Sequence, residues 1–183
     1  MDPNKYIVEE VPDFYRIIAL TPFRKTKGVD FDIVPMQFLP HVDGVDRVLH
    51  QSDAKSPGRV GDIERPWYLH QYQEDNLIVL HGTRTVDIYT LEHRRIETFV
   101  IEPNRVLRNG KTVYDGAAML VWPCNVFHRI LSGTTGSASL NFAVRHEGFD
   151  IQTNFSIYDL NTETGEYQVI RAGHLDQKLV IEK

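Results

Sequence analysis

The sequence is almost without cysteine and has no long apolar run, and both features limit its biology. Among its 183 residues only Cys124 is a cysteine, so an internal disulfide is excluded and a cytoplasmic location is expected. The apolar stretches 77–80 and 117–122 are far shorter than the roughly 20 residues that a membrane helix needs. The N-terminus is acidic and lacks a continuous apolar core, so we expect no secretory signal.

Basic residues are also too few for a protein that binds nucleic acid. There are 20 Lys and Arg against 25 Asp and Glu, which gives a net charge of −5. Contacts to phosphate backbones need a dense basic face, so we expect neither a nucleic-acid nor a membrane partner, and a small-molecule ligand instead. The sequence has no glycine-rich phosphate loop, nucleophile elbow or paired-cysteine zinc pattern, and these chemistries are therefore set aside.

Short strand patterns separated by turn signals fill most of the chain. Residues 83–90 alternate polar and apolar, as in a half-buried strand, and Asn109-Gly110 is a hairpin signal. Many such strands with little helical periodicity predict an antiparallel sandwich or barrel. We expect one domain over 1–183, in three parts. These are N-terminal strands and a loop (1–62), the barrel core (63–146), and a C-terminal hairpin and tail (147–183), with helix expected only from Leu175 onward.

The most informative segment places aromatic and imidazole side chains on alternate positions. Tyr68, His70 and Tyr72 would share one face of an extended strand. The acidic pair Glu74-Asp75 that follows predicts a turn. A return strand over 76–80 would then bring Asp75 near the same face. The alternative interpretation is a half-buried hairpin whose polar residues alternate without having a function.

Two segments resemble the signature motifs of the cupin superfamily. The first motif reads His-x-His, three or four residues, Glu, six residues, Gly. Counting back from Gly82 puts Asp75 at the Glu position and His70 at the second His, while Tyr68 stands in place of the first.

The second cupin motif reads Gly, several residues, then Pro-x-Gly-x-x-His. Gly116 is followed here by Pro123 and, with the same spacing, His128. Asn125 replaces the motif's second Gly, which is tolerable because Asn also enters left-handed turns. The Asn usually found four residues beyond the His is absent, and Ser132 stands there.

The resemblance implies an all-β antiparallel jelly-roll barrel with its ligand site inside, here with an N-terminal strand or arm extension and little helix. The segments 69–71, 77–82 and 86–88 are also loosely similar to the nucleotide-sugar epimerase branch. In that branch a His is the base, a Tyr is the acid and no metal is used. His70 matches the base, but Asp75-Asn76 stands where that branch has a Lys, which weakens enolate stabilisation.

Two chemistries fit these residues. In the metal-free one, His70 is the general base, because an imidazole pKa of about 6.5 suits proton transfer near neutrality, and Tyr68 or Tyr72 is the acid. In the other, His70, Asp75 and His128 hold one divalent Fe, Mn or Zn ion in a metal-dependent oxygenase or lyase. The first predicts an epimerase or isomerase acting on a sugar derivative. A non-catalytic binding or sensor barrel is the third alternative.

Four further side chains are candidates for ligand binding: His128, Arg84, His81 and Trp122. A guanidinium such as that of Arg84 can hold a carboxylate or phosphate through two parallel hydrogen bonds if it points inward. The loop over 52–62 is a candidate lid. Because open sheet edges need covering, we also expect a homodimer that uses the N-terminal segment.

Overall fold

The computed structural model describes residues 3–177, and strands account for 58% of the structure and helices for 7%, which confirms the all-β prediction. The strands, in chain order, are β1 Ile7–Val11, β2 Tyr15–Ala19, β3 Thr21–Thr26, β4 Val29–Ile33, β5 Gly44–His50, β6 Lys55–Ser56, β7 Trp67–Leu69, β8 Gln73–Tyr89, β9 Ile96–Glu102, β10 Arg105–Arg108, β11 Lys111–Tyr114, β12 Ala118–Trp122, β13 Phe127–Arg145, β14 Ile157–Leu160 and β15 Tyr167–Arg171.

Helical structure is confined to short segments. One α-helix, α1, spans Ile151–Asn154, and 3-10 helices span Pro3–Tyr6, Met36–Phe38 and Gly173–Leu175. The sequence analysis missed α1. The helix expected from Leu175 onward falls mostly outside the described residues. No helix within 3–177 has both the length and the apolar character to span a membrane.

Two long strands, β8 of 17 residues and β13 of 19, organise the fold. They pair with each other along most of their lengths, with irregular register opposite Leu80 and between Ser132 and Ser137. The first half of β8 also pairs with β12 and its second half with β9. Each long strand therefore passes from one sheet to the other at its irregularity, which is how corners form in packed sheets.

Two facing sheets result, and both share β8 and β13. One has the order β1-β2-β12-β8-β13-β5, and the other joins β9, β8, β13, β7, β14 and β15, with β10 and β11 beyond β9. Apolar side chains from both sheets fill the space between them, among them Ile17, Val79, Ile88, Phe99 and Leu120. This is the jelly-roll barrel that the cupin resemblance implies.

The predicted hairpin around the acidic pair is wrong. Strand β7 ends at Leu69 and pairs with β13 and β14 rather than with β8. The chain bends at Gln71 and Tyr72, and β8 begins at Gln73 and continues through the acidic pair. These acidic residues stay in the sheet because the sheet supplies partners, as where Glu74 lies 3.5 Å from Arg16 of β2.

Other predicted boundaries shift where tertiary pairing decides them. The sequence favours separate strands over 126–131 and 139–144, because turn residues lie between them, but both belong to the single strand β13. The β-forming residues over 31–39 predict one strand, which ends at Ile33. The β3–β4 hairpin forms a separate two-stranded sheet with Phe23 and Phe31 exposed. The N-terminal strand or arm of the fold prediction is strand β1, which pairs with β2 at the edge of the main sheet.

Candidate functional site

A cavity of about 160 Å³ lies inside the barrel, between the two sheets. Side chains from β5, β7, β8, β12 and β13 form its wall, and polar residues are concentrated in it: Asp46, His50, Ser56, Tyr68, His70, Gln73, Asp75, Arg84, His128 and Asn141. Leu77, Ile130, Trp122 and Phe155 supply its apolar surface. A polar interior in a barrel with an otherwise apolar core is the feature expected of a ligand site.

The two motif segments meet at one turn. Asn125 has a φ of 64°, the left-handed conformation expected of it, and its backbone N–H donates to the carbonyl of His70 over 2.8 Å. Directly after this turn, His128 lies opposite Tyr68 in the pairing of β13 with β7. The turn therefore brings side chains that are far apart in sequence to the same wall of the cavity.

His70, Asp75 and His128 form a buried cluster on that wall. One ligand atom from each lies within 4.8 Å of the other two. His70 Nε2 is 3.5 Å from Asp75 Oδ2, and the rings of His70 and His128 have centroids 4.7 Å apart. All three residues are at most 4% exposed. Lone pairs from two imidazoles and one carboxylate thus converge, an arrangement that a proton or a metal ion between them would stabilise.

Backbone carbonyls orient both imidazoles. The Nδ1 atom of His70 lies 2.5 Å from the carbonyl of Asn154, and that of His128 lies 3.2 Å from the carbonyl of Val126. A carbonyl only accepts hydrogen bonds, so each Nδ1 carries a proton, and in the neutral imidazole Nε2 is the atom with the lone pair. Burial lowers the pKa of His128 to about 4, with His70 adding to the effect, so His128 is neutral at pH 7.

Two side-chain amides hold the carboxylate of Asp75. Its Oδ1 accepts from Gln73 Nε2 at 2.9 Å and from Asn141 Nδ2 at 2.6 Å. The Oδ2 atom remains directed at His70. Asp75 is therefore fixed with an acceptor oxygen directed at the Nε2 edge of the His70 ring.

Tyr68 and Trp122 add hydrogen-bond donors to this wall. The ring of Tyr68 lies 5.8 Å from that of His128, and the indole of Trp122 lies 5.2 Å from it. Burial raises the pKa of Tyr68, so its phenol stays protonated at neutral pH, although its hydrogen bond with Ser56 opposes the shift. The indole Nε1–H of Trp122 is buried and has no hydrogen-bond partner among residues 3–177.

Arg84 points into the barrel and is 1% exposed. Its Nε donates to Ser137 Oγ over 3.0 Å and one terminal nitrogen donates to the carbonyl of Val48 over 3.1 Å. The register explains this direction. Val79 pairs with Ser139 and His81 with the adjacent Ala138, so Leu80 is an extra residue that shifts the inward-facing positions by one.

The same bulge overturns the prediction for His81. Without it, His81 would face inward with Asp75, but its side chain is exposed and does not line the cavity. Tyr72 also fails as a candidate catalytic residue. It lies at the bend after β7, is 44% exposed and contacts the loop near Gly148 rather than the cavity.

Several cavity residues were missed by sequence reasoning. Strand alternation carried a signal for some of them, because Gln73 shares parity with Asp75, and His50 with Val48 on β5. Phe155, which packs edge-on against His70 with centroids 5.3 Å apart, had no such signal. Cys124 is not a nucleophile, since burial raises the pKa of its thiol to about 11.

No protein-family model matches the sequence, and no curated protein is similar to it in sequence. Solved structures do match. The sugar 3,4-ketoisomerase QdtA from Thermoanaerobacterium thermosaccharolyticum, in complex with TDP, superposes with a TM-score of 0.51 at 14% identity, over 76% of this chain and 85% of that one. The rmlC epimerase of Mycobacterium tuberculosis gives a TM-score of 0.52 at 11% identity, over 74% of this chain and 64% of that one.

The chain has the cupin fold. A third neighbour, a 3,4-ketoisomerase from Helicobacter canadensis, has a TM-score of 0.50 at 12% identity, over 74% of this chain and 85% of that one. The cupin resemblance is thereby confirmed at the level of the fold. Identities this low carry the architecture, and the chemistry has to be argued from the residues of this chain.

Proposed function

We propose that this cupin is an epimerase- or isomerase-like enzyme acting on a sugar derivative, with His70 as its general base. The observation that carries the proposal is the buried His70–Asp75 pair, whose facing atoms are 3.5 Å apart in the wall of the cavity. The fold neighbours, which include sugar 3,4-ketoisomerases and an epimerase, are compatible with this chemistry.

The proton steps follow from the hydrogen bonds. His70 Nε2 has a free lone pair and takes a proton from a carbon next to a carbonyl, and the electron pair of that C–H bond forms an enolate. The resulting imidazolium is stabilised by Asp75 at Nε2 and by the Asn154 carbonyl at Nδ1. Return of the proton to the other face of that carbon completes an epimerisation. In an isomerisation the proton returns to the former carbonyl carbon, while the hydroxyl proton of the first carbon moves to the former carbonyl oxygen.

The enolate oxygen needs donors, because the Lys of the nucleotide-sugar epimerase branch is missing. Tyr68 supplies a protonated phenol and Trp122 an N–H that has no partner among the described residues, and both line the cavity. Preorganised donors in a buried site stabilise developing negative charge far more than water does. We assign Tyr68 as the acid and Trp122 as a donor to the enolate oxygen.

Product analysis tests this function. TDP-4-keto-6-deoxyglucose, glucuronate and galacturonate are incubated with wild type, His70→Gln and the control His174→Gln, whose histidine is exposed on a 3-10 helix. We expect a new sugar isomer from at least one compound with wild type and the control, and a loss of at least about a hundredfold in His70→Gln. Turnover that persists in His70→Gln would refute His70 as the base.

A metal-dependent lyase or oxygenase is the second candidate, and a specific observation favours it. Both histidines of the cluster bond a backbone carbonyl through Nδ1 and turn Nε2 inward, as metal-bound histidines commonly do. His70, Asp75 and His128 would hold the ion on three positions and leave others open. A bound divalent ion would supply Lewis-acid polarisation of a substrate oxygen.

Metal analysis separates the two candidates. The protein is purified without chelator or metal-affinity resin, and metal content is measured in wild type, His128→Ala and Tyr68→Phe. The metal-free proposal predicts no stoichiometric metal and activity that survives chelation. A metal enzyme would contain about one ion, lost in His128→Ala and retained in Tyr68→Phe, and would gain about 2.7 kcal/mol at a hundred times the metal's Kd.

The protein is further proposed to be a single-domain cytoplasmic homodimer. The exposed β3–β4 arm carries Phe23, Phe31 and Ile33 at 66%, 53% and 42% exposure, an apolar surface suited to a second copy. The single cysteine is compatible with a reducing compartment. Light scattering at micromolar concentration should give a dimer mass, and Phe23→Asp with Phe31→Asp should give a monomer. A monomeric wild type would contradict the assembly.

A further inference from the structure

Arg84 is a buried cation without a counter-charge. Its guanidinium makes its two hydrogen bonds to neutral acceptors, the Ser137 hydroxyl and the Val48 carbonyl. Within residues 3–177 no carboxylate forms an ion pair with it, whereas the partly buried Arg129 is paired with Asp87 at 2.9 Å. Burying a guanidinium without an anion costs several kcal/mol. A destabilising residue of this kind is commonly retained at a functional site, where a ligand can supply the missing charge.

The position of Arg84 in the cavity indicates which part of a ligand it meets. Ser137, which accepts from Arg84, and Asn141, which donates to Asp75, are four residues apart on β13. At about 3.3 Å per residue these two positions are about 13 Å apart along the strand, which places Arg84 and the His70–Asp75 pair toward different ends of the cavity. The cavity thus has one cationic end and one end for proton transfer.

A second observation at the same cavity also points to a bound group. Trp122 is 3% exposed, lines the cavity and keeps its indole N–H without a partner among the described residues. His50 lines the cavity beside Arg84 and likewise leaves Nδ1 unpartnered within 3–177. Native proteins rarely leave buried polar atoms unbonded, so a polar ligand that supplies partners for these atoms would fit this cavity.

Cavity size limits the ligand. A volume of about 160 Å³ is close to that of an engineered cavity of about 150 Å³ that holds benzene. The interior therefore accommodates a small ring or chain, and the rest of a larger ligand such as a sugar nucleotide would lie outside it. A negative charge that reaches Arg84 must be carried by the sugar itself, and a carboxylate fits this volume better than the larger phosphate.

We propose that the ligand inside the barrel is a monosaccharide-sized carboxylate, a sugar acid or keto acid, whose carboxylate is bound by Arg84 while its other end lies at His70 and Asp75. The identification of the ligand as a sugar derivative rests on the proposed function. The requirement for a negative charge rests on Arg84, and the choice of a carboxylate over a phosphate rests on the cavity volume.

Equilibrium binding tests the proposal. Glucuronate, galacturonate and gluconate are compared by calorimetry with the neutral sugars glucose and galactose and with glucose 6-phosphate. We expect saturable binding of at least one acid by wild type, with the matched neutral sugar at least about tenfold weaker. Arg84→Met should lose that preference, and Arg84→Lys should bind more weakly than wild type because it lacks the planar fork. Arg47→Met, on the exposed face of β5, is the control and should bind as wild type does.

Three results would overturn the proposal. These are failure of all three acids to bind more tightly than the neutral sugars, unchanged acid binding in Arg84→Met, and binding of the phosphate without binding of the acids. Isomerisation of a sugar nucleotide whose sugar carries no carboxylate, at a rate that Arg84→Met does not change, would refute this inference. The proposed function would still stand. Acid binding through Arg84 with no isomerisation would do the reverse.

Discussion

Replacing Arg84 with Met should leave the protein about as stable as wild type, although the side chain is among the most buried in the barrel. Burial lowers the pKa of Arg84 from 12.5 to about 10. At about 1.4 kcal/mol per pKa unit, keeping the charge costs the folded state about 3 kcal/mol. Met fills much of the same volume and removes that cost. The two lost hydrogen bonds oppose the gain by about 1 kcal/mol each.

The net effect is therefore between zero and a gain of about 1 kcal/mol, or a rise in Tm of a few degrees at most. Urea denaturation of the ligand-free protein measures it. Arg129→Met is the contrasting variant, because it removes the closer of the two cations paired with the buried Asp87 and a contact of 4.0 Å with the Trp67 ring. It should lose about 3 kcal/mol. A loss above about 2 kcal/mol in Arg84→Met would refute the view that its charge is uncompensated.

Three further predictions concern acid stability, backbone geometry and a rejected residue. Burial, and then the charge of Arg84, lowers the pKa of His50 to about 4, so the unfolded state binds a proton that the folded state does not between that pH and about 6.5. Stability should therefore fall as the pH falls through this window, less steeply in His50→Gln, and equal slopes in urea titrations would contradict it. Gly82→Ala should lose at least about 2 kcal/mol of unfolding free energy, because φ is +71° and a Cβ would lie 2.0 Å from the Gly136 carbonyl oxygen. Gly28→Ala, with φ of +76° and open space around the Cβ position, should lose only about 1 kcal/mol. Equal melting temperatures for the two variants would count against the account. Tyr72→Phe should leave turnover within about twofold of wild type, whereas Tyr68→Phe should reduce it at least about tenfold, and the opposite ranking would exchange their roles.

Local signals predicted much of the fold. The alternation over 83–90 and the Asn109-Gly110 turn are decided by neighbouring residues, and both appear as strand and hairpin. Asn125 adopts the left-handed conformation that its place in the motif requires. This turn fixes His128 opposite Tyr68, so the heart of the candidate site could be predicted from sequence.

Features that depend on distant partners could not be predicted in the same way. Glu74 and Asp75 read as a turn because their partners, Arg16 on β2 and Asn141 on β13, are far away in sequence. The bulge at Leu80 reverses the sheet faces on which His81 and Arg84 lie. The sequence marks it only by Gly82, which adopts a positive φ of 71°. A single extra residue in a strand thus exchanged an expected cavity residue for an exposed one.

Solvent deuterium exchange tests the central claim, proton transfer by His70, most directly. The three compounds of the product analysis are incubated in deuterium oxide, and loss of the C–H signal beside the carbonyl is followed by NMR. His70→Gln, Asp75→Asn and His174→Gln are compared with wild type. The account predicts exchange with wild type and His174→Gln, none above background with His70→Gln, and slower exchange with Asp75→Asn because the imidazolium loses its carboxylate. Equal exchange in wild type and His70→Gln, or no exchange with any compound, would contradict it.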